Sequence, residues 1–220
     1  MRVWLASGNK HKQQELQAIF SKHTIKLPIE AGITDFDVAE TGNTFVENAF
    51  IKAKALWNML NTTARTDKEY PVLADDSGLC VDALGGRPGI YSARYYGINS
   101  WDSDSNFKAK SAPEKLGDKE RNNLLLEELS SVLSNNARCR FVCAMVLFFN
   151  PDRFYIVQET MEGEIVPSKA EIRGQGGFGY DPIVYLPDLH ATVAELSEEQ
   201  KNFLSHRGKA AKAIAKLLYL

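Results

Sequence analysis

Long hydrophobic runs are missing from this 220-residue sequence. No stretch approaches the roughly 18 apolar residues of a membrane-spanning helix, and the opening segment Met1 to Lys10 has too short an apolar run for a secretory signal. A cytoplasmic protein without membrane contact is therefore expected. Charge of one sign is missing as well: 26 Lys and Arg stand against 28 Asp and Glu, a formal charge of -2. A nucleic-acid partner, which calls for a basic face or stripe, is not expected, although a local basic pocket is compatible with this balance. Cysteine is scarce. Cys80, Cys139 and Cys143 form no Cys-x-x-Cys pair, and two lie inside an apolar run, so all three are expected to be reduced and structural. His11, His23 and His190 lack the spacing of a metal site or nucleophile relay and are expected at the surface. No Gly-x-Ser-x-Gly elbow surrounds Ser77, which leaves it a phosphate or ribose contact rather than a nucleophile.

What is present is an ordinary globular composition, 44% hydrophobic and 25% charged, enough for one sizeable core or two closely joined lobes. The apolar run Arg2 to Ala6, the break at Ser7-Gly8-Asn9 and the helical spacing of Leu16, Ile19 and Phe20 predict strand, tight loop, helix. Thr44-x-x-Glu47 has the form of a capping box and opens a second helix ending near Asn61. A polar surface connection from Asn61 to Tyr70 precedes a short strand, Pro71 to Ala74, aimed at Asp75-Asp76-Ser77-Gly78. Gly85 to Gly89 turn sharply and lead to an aromatic and basic run, Tyr91 to Tyr96, whose tip is expected to be exposed. The polar stretch from Asn99 to Asn123 divides into a mobile loop and, after Asp118, a helix start. Arg138 to Phe149 and Phe154 to Gln158 read as a long hairpin, Ser197-x-x-Gln200 as a helix cap, and Lys209 to Leu220 as a final helix. The predicted class is α/β or α+β with a mixed sheet.

Four stretches carry candidate chemistry. Ser7-Gly8-Asn9-x-x-Lys12 joins a strand to a helix start, where free N–H groups, the helix dipole and a lysine favour an anion; an ordinary turn would look similar. Asp75 and Asp76 at the end of an apolar strand are costly unless they bind a cation or activate water, and oxygen ligands of this kind suit magnesium. Glu40 and Glu47 are both available to complete such a shell, with Glu47 also claimed by the capping box. Gly174 to Pro182 sets Phe178, Tyr180 and Asp181 in a glycine-rich loop that can approach a flat ligand. His206 and Arg207 could hydrogen-bond base carbonyl oxygens or simply mark a helix break, with Lys201 one helical turn before Ser205.

Six segments, taken in order, resemble the Ham1-like inosine triphosphate pyrophosphatase family in its bacterial form. They are Ser7-Gly8-Asn9-x-x-Lys12, Glu40 to Ala53, Asp75 to Leu79, Gly85 to Arg94, Gly176 to Pro182 and Ser205 to Gly208. The resemblance runs through almost the whole chain and implies a single domain over 1–220. Its fold would be α/β, a mixed twisted sheet with flanking helices, elongated and two-lobed with an active-site cleft between the lobes. It also implies hydrolysis of ITP, dITP or XTP to the monophosphate and pyrophosphate, a magnesium cofactor and a homodimer. By the same resemblance Ser7, Gly8, Asn9, Lys10, His11, Lys12 and Lys52 would hold the triphosphate. Asp76 would bind magnesium and act as base, with Asp75 and Glu40 assisting the metal shell, and Ser77 would contact substrate. Phe178, Gly179, Tyr180, Asp181, Lys201, His206 and Arg207 would enclose the base. Ala39, rather than a second acid, precedes Glu40 in this chain.

Competing readings are a Maf-type pyrophosphatase, a non-catalytic nucleotide sensor and a nucleic-acid module built on Arg94 and its flanking tyrosines. A Maf-type start carries Ser-Pro-Arg-Arg where this chain has Gly8-Asn9-Lys10-His11. Release of pyrophosphate under magnesium would separate an enzyme from a sensor.

Overall fold

The computed structural model describes residues 1–62, 70–96, 116–132 and 136–218. Residues 63–69 and 97–115, which hold most of the predicted surface connection and mobile loop, lie outside the described residues, as do 133–135 and 219–220. The described strands form one seven-stranded open sheet in the order β2-β1-β3-β4-β5-β6-β7. Its members are β1 (Arg2–Leu5), β2 (Thr24–Lys26), β3 (Val72–Val81), β4 (Arg138–Asn150), β5 (Arg153–Ile165), β6 (Val184–Leu186) and β7 (Ala191–Thr192). The sheet is mixed: β1 runs parallel to both β2 and β3, whereas β6 is antiparallel to β5 and β7. Among the described residues five α-helices accompany it, α1 (Lys10–Ile19), α2 (Phe45–Thr62), α3 (Asp118–Ser131), α4 (Glu198–Leu204) and α5 (His206–Leu217).

The chain divides into two compact units. Unit 1 comprises Met1–Ser77, Val142–Thr160 and Asn202–Leu220, and unit 2 comprises Gly78–Phe141 and Met161–Lys201. In unit 1 the period-two alternation of strands sorts side chains to opposite faces of the sheet. Val3, Leu5, Leu73, Cys143, Met145 and Leu147 form one core with Leu16 of α1 and Ala210, Ala211 and Ile214 of α5. Their immediate neighbours Trp4, Ala6, Val72, Ala74, Val146 and Phe148 form a second core with Ala49, Ala53 and Leu56 of α2. Unit 1 is thus three layers, with α1 and α5 on one face and α2 on the other. Unit 2 has its own core, in which Leu79, Val81, Leu125, Met161, Ile165, Tyr180, Ile183 and Val184 pack together.

Local signals explain most helix ends. Asn9 caps α1, its Oδ1 accepting from the N–H groups of His11 (2.9 Å) and Lys12 (3.2 Å). Thr44 Oγ1 accepts from Glu47 N–H at 3.1 Å, while the Glu47 carboxylate takes the N–H of Asn43 at 2.6 Å. The box predicted at Ser197 and Gln200 is closed in both directions.

Four expectations are corrected. The strand carrying Asp75 and Asp76 continues to Val81, because Leu79 and Val81 supply apolar side chains to the unit 2 core. The hairpin's second strand extends to Ile165, well past Gln158. The final helix begins at His206, where Ser205 Oγ accepts Gly208 N–H at 3.0 Å. His23 is buried, packed edge-on against Phe20, and burial lowers its pKa. Cys80, Cys139 and Cys143 are free thiols.

Candidate active site

Two constellations, one in each unit, hold most of the predicted site residues; His206, the first residue of α5, is buried. In unit 1, strand geometry separates Asp75 from Asp76: adjacent residues point to opposite faces, so the two acids serve different layers. Asp75 turns toward α1 and α5. Its Oδ1 accepts from Lys12 Nζ at 2.9 Å, and its Oδ2 accepts from Ser77 Oγ at 3.2 Å and Arg207 Nε at 3.3 Å. Burial alone would raise its pKa, but Lys12, Arg207 and Lys52 outweigh that effect and hold the carboxyl far below the usual range. Arg207 is itself buried and donates through Nη1 to Glu15 at 2.8 Å.

Asp76 turns toward α2. Asn48 and Lys52 lie four residues apart on that helix, hence on one face, and both reach it. Asn48 Nδ2 donates to Asp76 Oδ2 at 3.1 Å, while Lys52 Nζ stands 3.6 Å from Asp76 Oδ1 and 2.7 Å from Glu40 Oε1. The segment before α2 is drawn in by Gly42, whose N–H donates to Asn48 Oδ1 at 2.9 Å. A Cβ at Gly42 would fall 2.6 Å from Glu47 Cβ, so only glycine fits this approach. The Asp76 pKa is raised, first by burial and then by Glu40, against the opposing pull of Lys52. Burial would lower the Lys52 pKa, but Asp75, Asp76 and Glu40 together raise it. Lys52 therefore remains an ammonium between two carboxylates.

This arrangement fits a hard divalent cation. Asp76 and Glu40 offer oxygen ligands around a point already occupied by positive charge, the Lys52 ammonium. Among the described residues no three His, Cys, Asp or Glu side chains converge on one metal position. The donors that are present are carboxylate oxygens, which suit a hard cation that keeps waters and phosphates in its shell rather than zinc, which favours His and Cys. Asp75 has both oxygens engaged by cations and Ser77. Glu47 is committed to the N–H of Asn43, which leaves Glu40 as the upstream acid beside Asp76. Ser7 is half-buried and its Oγ accepts Asn9 N–H at 3.1 Å; Lys10 and His11 are exposed on the first turn of α1, and the space beside Gly8 is open.

The second constellation lies in unit 2. Asp181 is buried, and its Oδ2 accepts from Lys201 Nζ at 2.7 Å and Phe178 N–H at 2.9 Å. Phe178 is 49% exposed, and the Lys201 ammonium lies 4.7 Å from its ring centroid. Gly177, with φ +75°, passes so close that a Cβ would meet Asp181 Oδ2 at 2.1 Å. Tyr180 faces the other way: it is buried in the core, its hydroxyl donates to Ser92 O at 3.0 Å, and burial raises its pKa. It anchors the loop from beneath. The Tyr91 to Tyr96 run is only partly exposed: Arg94 lies 5.2 Å from the centre of the Tyr91 ring, while Tyr95 is in the core and bonds Glu128.

Sequence reasoning gave no role to Asn48 or Glu15. Asn48 carries a legible signal, being the one polar residue among the buried positions Phe45, Ala49, Ala53, Leu56 and Leu60 of α2. Glu15 carries none, since its partner Arg207 is remote in sequence.

Fold and first constellation define a class: an open-sheet α/β protein whose acids and lysines, set on β3, α1 and α2, have the makings of phosphate and cation chemistry. The chain belongs to the Ham1 family, whose model matches residues 3–217. It is 45% identical over 218 residues to the dITP/XTP pyrophosphatase of Treponema denticola, covering 99% of this chain and 98% of that one. Among solved structures it is similar to a HAM1 protein from Coxiella burnetii (TM-score 0.79, 34% identity, 100% of this chain and 98% of that one). The Staphylococcus aureus Ham1 protein is comparably similar (TM-score 0.78, 37% identity, the same coverage).

Proposed function

We propose that this chain hydrolyses non-standard purine nucleoside triphosphates, dITP, XTP and ITP, to the monophosphate and pyrophosphate, and so clears them from the pool used for DNA and RNA synthesis. The relatives' named activity supports the reaction. The observation in this chain that carries it is the buried Asp76, with raised pKa, beside Lys52 and Glu40. Magnesium as the metal, a homodimer and a cytoplasmic location belong to the same reading and rest on the family resemblance; no helix among the described residues is long and apolar enough to cross a membrane.

Asp76 is the base. Its raised pKa makes it a better proton acceptor than an ordinary aspartate, and Asn48 fixes its orientation. It takes a proton from the attacking water, whose oxygen bonds to the α-phosphorus as the bond from that phosphorus to the bridging oxygen breaks and pyrophosphate leaves. Asp76 and Glu40 would hold magnesium, which supplies charge neutralisation to the phosphates. Lys12 and Lys52, with the N-terminus of α1, bind the triphosphate oxygens. Asp75 keeps Lys12 and Arg207 in place from the opposite face of β3 and supports the site indirectly. Ser77 contacts substrate.

Base recognition belongs to the second constellation. Phe178 offers an exposed ring for stacking, and Lys201, held by Asp181, is a donor suited to the 6-carbonyl of hypoxanthine and xanthine. Adenine presents a donor at that position, and two opposed donors leave a desolvated group unpaired.

Pyrophosphate release from ITP, XTP, dITP, GTP and ATP, each with magnesium and with EDTA, tests the reading. Metal-dependent release from the first three and little from the last two is expected. Asp76→Asn should lower turnover by on the order of a hundredfold or more. A folded Asp76→Asn protein with full turnover would remove Asp76 from the mechanism.

A further inference from the structure

The loop around Phe178 is gripped by α3, a helix with no part in the chemistry above. Asp118 and Asn122 lie four residues apart and so share one face of that helix. Their side chains meet the two polar backbone groups of a single residue. Gly179 N–H donates to Asp118 Oδ2 at 2.7 Å, and Asn122 Nδ2 donates to Gly179 O at 3.0 Å. Gly179 has φ +65°, a left-handed conformation in which glycine has no steric preference to hold it, so the conformation depends on partners such as these. Phe178 precedes it, and Asp181, which holds Lys201, follows two residues later.

Two details show that the grip is built rather than incidental. Arg121, between the two, is buried and donates to Ala93 O at 3.2 Å, to Leu116 O and to the Asp118 carboxylate, which orients that carboxylate. Asn122 is buried, and among the described residues its Oδ1 has no hydrogen-bond partner. A buried unpaired oxygen costs stability, and an apolar side chain of similar size would pack α3 without that cost. Turning the amide over would set its oxygen against Gly179 O, so the orientation is determined. The amide is retained for the bond it makes to Gly179.

We propose that Asp118 and Asn122 are positioning residues for purine selection: by fixing both ends of Gly179 they set the placement of the Phe178 ring and of the Lys201–Asp181 pair. The inference rests on the reading of the Phe178 to Asp181 loop as the base-recognition element. Neither residue touches substrate. Their effect passes through the fraction of time the loop holds its competent shape, and apparent affinity falls in proportion to that fraction. Losing one of the two hydrogen bonds should raise KM for ITP roughly three- to tenfold. Turnover at saturation depends on Asp76 and should change less than about twofold. Adenine, which opposes a donor to Lys201 and gains little from the ordered loop, is penalised less, so the kcat/KM ratio of ITP over ATP should fall.

The experiment compares Asn122→Leu, Asp118→Leu, Asp118→Asn and Phe178→Ala with the unaltered chain, measuring kcat and KM for pyrophosphate release from ITP and ATP. KM does not depend on how much of a preparation is folded, so misfolding alone cannot imitate the expected result. Asn122→Leu and Asp118→Leu should raise KM for ITP and lower the ITP-to-ATP ratio. Asp118→Asn, which keeps an oxygen acceptor for Gly179 N–H, should remain within about twofold of the unaltered chain. If Phe178→Ala raises KM while the two leucine variants do not, or if they lower kcat alone, the grip plays no part in selection and the proposal is overturned. An Asp118→Asn defect equal to that of Asp118→Leu would also overturn it, since Asp118 would then act through its charge on Arg121. If Phe178→Ala changes neither KM nor the ratio, the base-loop reading itself fails.

Discussion

Asp75 and Asp76 are neighbours of the same type, both buried, yet neutralising them should change stability in different ways. Asp75→Asn removes a carboxylate paired with Lys12 and with the buried Arg207 guanidinium, and leaves those cations undercompensated. Breaking a buried pair from one side costs about 3–5 kcal/mol; the amide keeps an oxygen acceptor and Arg207 keeps Glu15, so about 3 kcal/mol is expected. At roughly 2–4 °C per kcal/mol for a chain of this size, Tm falls by roughly 6–12 °C. Asp76→Asn removes a charge that its surroundings disfavour, as the raised pKa records, and should leave Tm within about 1 kcal/mol equivalent of the unaltered chain while lowering turnover by on the order of a hundredfold or more. Thermal melts in EDTA, paired with pyrophosphate release in magnesium, measure both. The pH dependence has matching signs. The depressed Asp75 pKa contributes stability that is present above its unfolded value of 3.8 and is lost as pH falls toward its folded value. The raised Asp76 pKa works in reverse, so protonation through its folded pKa adds stability as pH falls toward 3.8. Equal losses of Tm in the two variants, or an unchanged Tm for Asp75→Asn, would refute the assignment of the two acids to opposite faces with opposite electrostatic roles.

Three further outcomes follow from the same geometry. Gly42→Ala forces a methyl to within 2.6 Å of Glu47 Cβ and should displace Glu40, lowering pyrophosphate release by roughly tenfold or more with a much smaller change in Tm. Gly177→Ala meets both a positive φ and the Asp181 carboxylate; it should cost about 1–3 kcal/mol by denaturant titration and raise KM for ITP more than it lowers kcat. Burial pushes the Cys143 thiol up to about 12 and raises Cys80 and Cys139 as well, so the native chain should show no fast-reacting thiol at pH 8 with an aromatic disulfide reagent, whereas all three react in denaturant.

Much of the local structure was legible because it is signalled by neighbours in sequence. The caps at Thr44 and Ser197, the break before α1 at Ser7-Gly8-Asn9 and the start of α3 at Asp118 all follow from residues within four positions of one another. The course of β3 was not legible in this way. Val72, Leu73 and Ala74 are buried on both faces, so the run has no alternation to show which side each following acid takes, and a pair of aspartates looks like a terminus. Their separation into an Asp75 layer and an Asp76 layer depends on Lys12, Arg207 and Lys52, whose approach is tertiary. The buried state of His23 and the link from Glu15 to Arg207 are of the same kind. The role of Tyr180 was misdirected by composition: an aromatic in a glycine-rich loop reads as a ligand contact, but its hydroxyl has a backbone partner in the core.

The order in which the chain supplies its two units limits how such a protein can be divided. It passes from one unit to the other at 77–78, 141–142, 160–161 and 201–202, and β3, β4 and β5 each contribute residues to both. A contiguous stretch that holds all of unit 2, residues 78–201, also carries Val142–Thr160 of unit 1, and only the full span from Met1 to Leu220 holds all of unit 1. A truncation after Phe141 would deprive unit 1 of Cys143, Met145 and Leu147 and unit 2 of Met161, Ile165 and Tyr180 together. Neither unit can therefore be excised, duplicated or exchanged between genes as a single segment, and the phosphate-handling and base-handling residues must be inherited as one piece.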